Sequence, residues 1–226
     1  MSVQQTIEMS LQTLLKQKIK ILGAGRTDTG VHAKQMYAHF DFEEPLDLEN
    51  LIYKLNAFLN KDIGIANIHK VRHDSHARFD AISREYEYYI TQIKDVYNHD
   101  KKYFFSKKLD FDKIDKAIDI LKNTKNFKSF CRTKSDVTNY NCEIFDFNYE
   151  IKESEIIFRI RANRFLRNMV RSLIGTILDV SLNKISVKNL LEIIEKSNRI
   201  YAGPSVPAHA LFLSNVEYPK NVFLNE

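Results

Sequence analysis

The chain of 226 residues is long enough for one large domain or two small ones, and its 44% hydrophobic content is typical of folded proteins. Its 34 basic and 29 acidic residues give a net charge of +5, which is compatible with a nucleic-acid partner but does not indicate one by itself. Two cysteines without a C-x-x-C pair, a polar N-terminus and apolar runs broken by charges argue against a zinc site, a disulfide framework, a signal peptide and a membrane span. We therefore expect a soluble, cytoplasmic protein without a bound metal.

The first part of the chain predicts helices alternating with strands. Apolar residues at helical spacing predict a helix over 3–17 and a second over 46–59, the latter with Asp47 as its N-cap. Alternating apolar residues predict strands in four stretches: "KIKILGAG" (18–25), "KQMYAHFDF" (34–42), "DIGIANIHKV" (62–71) and "SREYEYYITQI" (83–93).

The second part follows the same pattern after a lysine-rich stretch over 94–128. Helices are predicted around 111–123, from Arg164 to about Leu182, and around 187–197. Strands are predicted at "EIFDFNYEI" (143–151), at "EIIFRIRAN" (155–163) and at the end of the turn-rich segment 202–219. We predict an α+β fold with two similar lobes, residues 1–94 and 95–226, each with a mainly antiparallel sheet and helices on one face.

The stretch "GAGRTDTGVHA" (23–33) follows the first predicted strand and contains three glycines. Asp28 stands where a dinucleotide-binding turn needs its third glycine, and the next segment has strand rather than helix periodicity. A nucleotide-cofactor oxidoreductase is therefore excluded at this spacing. Asp28 either caps a turn or serves as a chemical reagent.

Four motifs in order resemble those of the TruA-type tRNA pseudouridine synthases. They are "GRTDTGVH" (25–32), "SHARFDAISREYEYYI" (75–90), "ANRFLRNMVRSLIGT" (162–176) and "AGPSVPAHALFL" (202–213). The resemblance implies two lobes with an active-site cleft between them, and an isomerase that converts uridine to pseudouridine at positions 38, 39 and 40 of the tRNA anticodon stem-loop. It also implies a homodimer that needs neither a metal nor a small-molecule cofactor.

The same resemblance assigns three catalytic roles. It makes Asp28 the nucleophile on a flipped-out uridine and Arg171 the cation paired with it, which fits chemistry that needs an ionised carboxylate. Tyr86 would stack on the uracil and could help to remove the C5 proton, although an ordinary phenol is a poor base at neutral pH. Helical spacing also places Arg164 and Arg167 beside Arg171, where they are either solvated or phosphate contacts.

Further residues of the motifs are expected to bind the substrate. Arg26 resembles a residue that draws out the target nucleotide, and Arg78 is expected to contact phosphate. Leu211 lies either against the uracil or in the ordinary core, and His76 is expected to be a structural hydrogen-bond donor.

The resemblance departs from the family at two points. Family members usually have a strand and a loop before the position of Ser2, and Ala210 stands where they usually have glycine. A tRNA-binding protein or RNA chaperone with weakened catalysis is therefore the alternative function.

Overall fold

The computed structural model describes residues 1–133 and 137–224. Five α-helices and eight strands occur in these residues, together with four short 3-10 helices. In chain order they are α1 (Val3–Leu15), β1 (Leu22–Gly23), β2 (His32–Ala33), β3 (Ala38–His39), α2 (Leu48–Phe58), β4 (Ser83–Thr91), β5 (Tyr103–Phe104), α3 (Phe111–Lys122), β6 (Ile144–Lys152), β7 (Glu155–Ala162), α4 (Met169–Ser181), α5 (Val187–Lys196) and β8 (Leu211–Glu217). The predicted α+β class is confirmed.

The chain divides into two compact units with discontinuous bounds. Unit 1 comprises residues 1–26, 36–81 and the segment from Tyr218 onward, and unit 2 comprises residues 27–35 and 82–217. The predicted domain boundary near residue 95 stays a prediction. The second segment of unit 2 begins at residue 82 rather than near residue 95, because β4 pairs with β7 and β8 of that unit.

Unit 1 is built around two helices and a small apolar cluster. Ser2 and Gln5 form a reciprocal capping box at the start of α1, and the Asp47 side chain accepts a hydrogen bond from the Asn50 backbone N–H at the start of α2. The helices pack around six buried aliphatic side chains: Leu11, Ile19, Ile21, Leu51, Leu55 and Leu59. The predicted helices are confirmed to within two residues at each end.

The predicted strands of unit 1 are largely wrong. β1 and β3 pair over only two residues each, and of 62–71 only Val71 forms an isolated bridge, with Phe223. Polar side chains occupy the backbone groups that a longer strand would need. Gln4 and Glu8 of α1 bind the carbonyl and N–H of Ile21, and Asn56 of α2 binds both backbone groups of Ile65. The alternation of apolar residues is real, but it serves packing against the helices.

Unit 2 contains a six-stranded mixed sheet. Its strands lie in the order β2-β8-β4-β7-β6, with β5 beside the end of β4. The long pairs β4–β7, β4–β8 and β6–β7 are antiparallel, whereas the short pairs β2–β8 and β4–β5 are parallel. The sheet of this unit is thus mainly antiparallel, as predicted.

Helix α4 is the central element of the unit 2 core. Eleven of its thirteen residues are buried, and the two that are not are Arg171 and Asp179. α3 and α5 contribute Ile114, Leu121 and Leu190 to the same apolar cluster, in which these side chains are fully buried. A helix that is apolar nearly all round provides a rigid support for the one arginine that emerges from its first turns.

The predicted start of α4 at Arg164 is wrong. The helix begins at Met169 because Asn168 has a φ of 65°, in the left-handed region that a right-handed helix cannot contain. Arg164 and Arg167 therefore lie outside the helix, and the predicted face shared with Arg171 does not exist.

Candidate active site

Asp28 lies at the start of a tight turn in unit 2. The N–H of Val31 donates to the Asp28 carbonyl at 3.1 Å, and Gly30 within the turn has a φ of +85°. That conformation suits glycine, which explains its place two residues after the aspartate. The turn leads directly into β2, which pairs with β8 through His32 and Phe212. Asp28 is thereby fixed to the edge of the sheet, and its side chain is 16% exposed.

Arg171 is the charged partner of Asp28. Its Nη1 donates to Oδ2 of Asp28 at 3.0 Å, and its Nε donates to the Val206 carbonyl at 2.7 Å. The Val206 N–H donates in turn to the Arg171 carbonyl at 3.2 Å. The guanidinium is therefore held from two sides, and the predicted ion pair is present.

The segment that carries Val206 lies directly against α4. A Cβ at Gly175 would come within 1.7 Å of the Pro204 carbonyl oxygen, and a Cβ at Gly203 would come within 2.8 Å of the Thr176 Cα. The Gly203 N–H also donates to Thr176 Oγ1 at 2.9 Å. Two glycines thus allow the helix and the segment to interlock, and the interlock fixes the position of the carbonyl that orients Arg171.

Tyr86 lies on β4 within electrostatic range of Asp28. Burial raises the pKa of Tyr86 to about 12, and the Asp28 carboxylate acts in the same direction. Its ring meets Phe165 edge-on at 5.1 Å between centroids. A phenol with so high a pKa is a poor base at neutral pH, so its environment favours stacking over proton removal.

A β-bulge in β8 lies opposite Tyr86. The register between β4 and β8 shifts between Glu85 and Tyr86, where Ser214 is the additional residue of β8. The Ser214 hydroxyl donates to the Glu85 carbonyl at 3.1 Å. The extra residue bends β8, the strand that lies opposite Tyr86.

The neighbouring tyrosines and Leu211 have structural surroundings. Tyr88 is buried and donates to the Pro207 carbonyl at 3.0 Å, and Leu211 lies opposite it in the core, 5% exposed. Tyr89 donates to Glu87 at 2.6 Å and accepts a hydrogen bond from Lys34 at 2.7 Å. These contacts explain both tyrosines as parts of the fold, and the uracil contact of Leu211 stays a prediction.

Asp28, Arg171, Tyr86 and Leu211 all belong to unit 2, whereas Arg26 and Arg78 belong to unit 1. Both of these arginines are exposed, and the Arg78 guanidinium lies 5.8 Å from the centre of the Phe79 ring. His76 has the expected structural surroundings, but its Nδ1 accepts a hydrogen bond from the Arg78 N–H rather than donating one. The RNA contacts of both arginines stay predictions.

The parts of the site that act through the backbone could not be predicted from the sequence. The Val206 carbonyl orients Arg171, but no side-chain pattern identifies a carbonyl. Gly175, Gly203 and Phe165 lie within the quoted motifs, and a glycine inside a helix was the available signal of close packing.

The described residues contain no cluster of three or more His, Cys, Asp or Glu side chains that could hold a metal ion. None of the helices in residues 1–133 and 137–224 combines the length and apolar character needed to span a bilayer.

Comparison with known proteins agrees with the motifs. Residues 117–219 match the family model described as tRNA pseudouridine synthase. The chain is 46% identical over 224 residues to the tRNA pseudouridine synthase A of Parabacteroides distasonis and 44% identical over 224 residues to that of Bacteroides fragilis. These matches cover 99% and 98% of this chain and 89% of each relative. It is also 38% identical to the tRNA pseudouridine synthase A 1 of Bacillus cereus, over 96% of this chain and 89% of that relative. The chain therefore belongs to the tRNA pseudouridine synthase A family.

Proposed function

We propose that this protein isomerises uridine to pseudouridine at positions 38, 39 and 40 of the tRNA anticodon stem-loop, with Asp28 as the nucleophile. Family membership supports the isomerisation of tRNA uridine. The observation that supports Asp28 is its ion pair with Arg171 at 3.0 Å, in a partly buried position beside Tyr86. The Arg171 cation balances the carboxylate charge and aims the carboxylate.

The reaction breaks the bond between uracil N1 and ribose C1′ and forms a bond between uracil C5 and the same C1′. The uridine must first leave the base stack, which costs a few kcal/mol. The Asp28 carboxylate forms a transient covalent bond to the ribose or the base, the N1–C1′ bond breaks, and the uracil turns. When C5 bonds to C1′, the covalent bond to Asp28 has also broken and the carboxylate is regenerated. The proton on C5 then passes to solvent water while N1 takes up a proton, so that the product has the same atoms as the substrate. The Tyr86 ring stacks on the uracil throughout.

The remaining residues of the site are proposed substrate contacts. Arg26 fills the space of the extruded nucleotide, Arg78 binds phosphate, and Leu211 contacts the uracil. The resemblance also supports a homodimer, for which light scattering of the purified chain is the test, and a location in the cytoplasm.

The direct test is tritium release from [5-³H]uridine-labelled tRNA. We expect release by the wild type and none by Asp28→Asn, which keeps the shape of the side chain but is no nucleophile. Asp62→Asn changes an exposed aspartate of unit 1 and should retain the wild-type rate. Carbodiimide mapping of the product should place the modification at positions 38, 39 and 40.

The outcome that contradicts the proposed nucleophile is release by Asp28→Asn at a rate close to that of Asp62→Asn. Tight tRNA binding without release by the wild type would leave the alternative, a tRNA-binding protein.

A further inference from the structure

Arg199 is a partly buried cation for which no carboxylate partner occurs among the residues that the structure describes. Its Nη1 donates to the Ala202 carbonyl at 3.3 Å, and its Nη2 donates to Ser205 Oγ at 3.0 Å. Burial is the cause that lowers the pKa of Arg199. A guanidinium has five N–H donors in a planar fork, so two neutral acceptors leave donors and a full positive charge for an anion.

Two more arginines, Arg132 and Arg167, are connected to Ser205 through a chain of hydrogen bonds. Ser205 Oγ also accepts a hydrogen bond from the Asn168 side chain at 2.5 Å. Asn168 follows Arg167, whose carbonyl accepts the N–H of Arg132 at 2.9 Å. Arg132 and Arg167 are exposed, and neither forms an ion pair with any residue in 1–133 or 137–224. We call Arg132, Arg167 and Arg199 the arginine row.

Three other arginines of unit 2, two on the sheet and one on α4, have carboxylate partners. Arg159 pairs with Glu87 and Glu150, Arg161 pairs with Glu217 at 3.6 Å, and Arg171 pairs with Asp28. A partly buried charge that is not neutralised costs free energy, and an anion that binds to it offsets that cost. The arginine row therefore has the chemistry of an anion site that these three arginines lack.

The arginine row is connected to the Asp28–Arg171 pair through two adjacent residues, Ser205 and Val206. Ser205 precedes Val206, whose carbonyl holds Arg171 Nε at 2.7 Å. A polymeric anion bound along the row would therefore pass beside the proposed nucleophile. RNA is the polyanion that the proposed function supplies.

We propose that the arginine row binds consecutive phosphodiester groups of the RNA strand next to the nucleotide that reacts with Asp28. This inference rests on the proposed function and names the protein groups that position its substrate. Arginine binds phosphate oxygens through two parallel hydrogen bonds, which gives the contact direction as well as charge. The row fixes the register of the strand, and the base is recognised elsewhere.

The test measures the affinity of a fluorescent, unmodified tRNA transcript over a series of salt concentrations. The variants are Arg199→Gln and the double variant Arg132→Gln/Arg167→Gln, which changes two exposed positions. Arg161→Gln is the matched control, because Glu217 already neutralises that arginine. We expect each lost phosphate contact to make the slope of log K against log salt less negative by about 0.7 to 0.9.

At ~0.1 M salt we expect Arg199→Gln to weaken tRNA binding about fivefold and the double variant about tenfold or more, because each removes counterion-releasing contacts. Arg161→Gln should stay within about twofold of the wild type. Arg199→Lys keeps the charge and should recover part of the slope but not all of the affinity, because an ammonium lacks the planar fork. If Arg199→Gln does not fold, the double variant decides the question.

If all row variants have the same slopes and affinities as Arg161→Gln, the arginine row does not bind RNA phosphates and the proposal is overturned. Tritium release measured on the same preparations separates this failure from that of the proposed function. Release by the wild type together with unchanged binding in the row variants rejects the row alone. No release by the wild type, with tRNA binding still dependent on the row, rejects the isomerase and keeps the row as an RNA site.

Discussion

The two compact units satisfy their backbone polar groups in different ways. In unit 2, long antiparallel ladders join β4, β6, β7 and β8. In addition, α4 packs closely at Gly175 against the segment that contains Gly203 and Pro204. In unit 1 the sheet has two residues on each strand, and side chains of the helices bind the backbone of Ile21 and Ile65. Unit 2 can therefore hold Asp28 and Arg171 through backbone geometry, whereas unit 1 depends on single polar side chains.

The largest expected effect is that of Gly175→Ala, which attacks the interlock of unit 2. Its Cβ would lie 1.7 Å from the Pro204 carbonyl oxygen, so the segment must move away from α4. We expect a loss of about 3 kcal/mol or more in the free energy of unfolding, because overpacking against backbone cannot relax cheaply. Urea denaturation measures this loss, and tritium release should fall with it because the Val206 carbonyl that orients Arg171 moves.

Gly64→Ala is the matched control in unit 1. The nearest atom to its Cβ would be Asn56 Oδ1 at 3.9 Å, so we expect a change within about 0.5 kcal/mol. Equal stability losses for the two glycine variants would show that the interlock does not distinguish unit 2.

Most of the strands of unit 2 could be predicted from the sequence, whereas those of unit 1 could not. The strands β4, β6 and β7 are long enough for their alternation to identify them, and the ladder gives every residue except Phe145 a partner. In unit 1 the same alternation over 18–25 and 62–71 predicted long strands, of which only the two-residue β1 and an isolated bridge at Val71 form. The competing partners, Gln4, Glu8 and Asn56, lie in other elements, and their effect depends on tertiary contact.

An intermediate effect is expected for Asn56→Ala in unit 1. The Asn56 side chain donates to the Ile65 carbonyl at 2.8 Å and accepts the Ile65 N–H at 2.7 Å. Because water can partly replace these bonds, we expect a loss of about 1 kcal/mol in the free energy of unfolding. The Ile65 amide should also lose its protection from hydrogen exchange.

Asn148→Ala provides the comparison in unit 2, since the Asn148 side chain donates to the Asp146 side chain rather than to the backbone. We expect a change within about 0.5 kcal/mol for this exposed contact. A protected Ile65 amide in Asn56→Ala would contradict the account of unit 1.

The smallest effect concerns Glu87 on the sheet of unit 2. Burial alone would raise the pKa of Glu87, but hydrogen bonds from Lys34, Tyr89 and Arg159 outweigh it and lower that pKa. A lowered carboxyl pKa contributes stability above the unfolded value of about 4.3, and the contribution is lost as the pH falls through the folded value. Wild type should therefore be more stable than Glu87→Gln by about 1 kcal/mol at pH 7, and the gap should shrink at pH 3.

Unfolding in urea at both pH values measures this gap. Glu43→Gln, at an exposed glutamate of unit 1, should show none at either pH. A gap for Glu87→Gln that is the same at pH 7 and pH 3 would contradict the role given to its hydrogen bonds.

The candidate site was predictable only in part. Asp28 and Arg171 are 143 residues apart, and the resemblance to a family, rather than spacing, paired them. Helical periodicity placed Arg164 and Arg167 beside Arg171. It could not detect the left-handed conformation of Asn168, because of which α4 begins only at Met169. The high pKa of Tyr86 depends on its burial in the folded protein, which the sequence "REYEYYI" does not specify.

The most direct test of the account is the single-turnover rate of tritium release by Arg171→Met and Arg171→Lys, measured together with their affinity for tRNA. We expect Arg171→Met to lower the rate by about 10²- to 10³-fold, because the substitution removes the charge that balances and orients the Asp28 carboxylate. The affinity for tRNA should change little. Arg171→Lys should recover only part of the rate, since it cannot bind Asp28 and the Val206 carbonyl in the same fork. A rate for Arg171→Met within tenfold of the wild type would contradict the claim that this ion pair is the centre of the reaction.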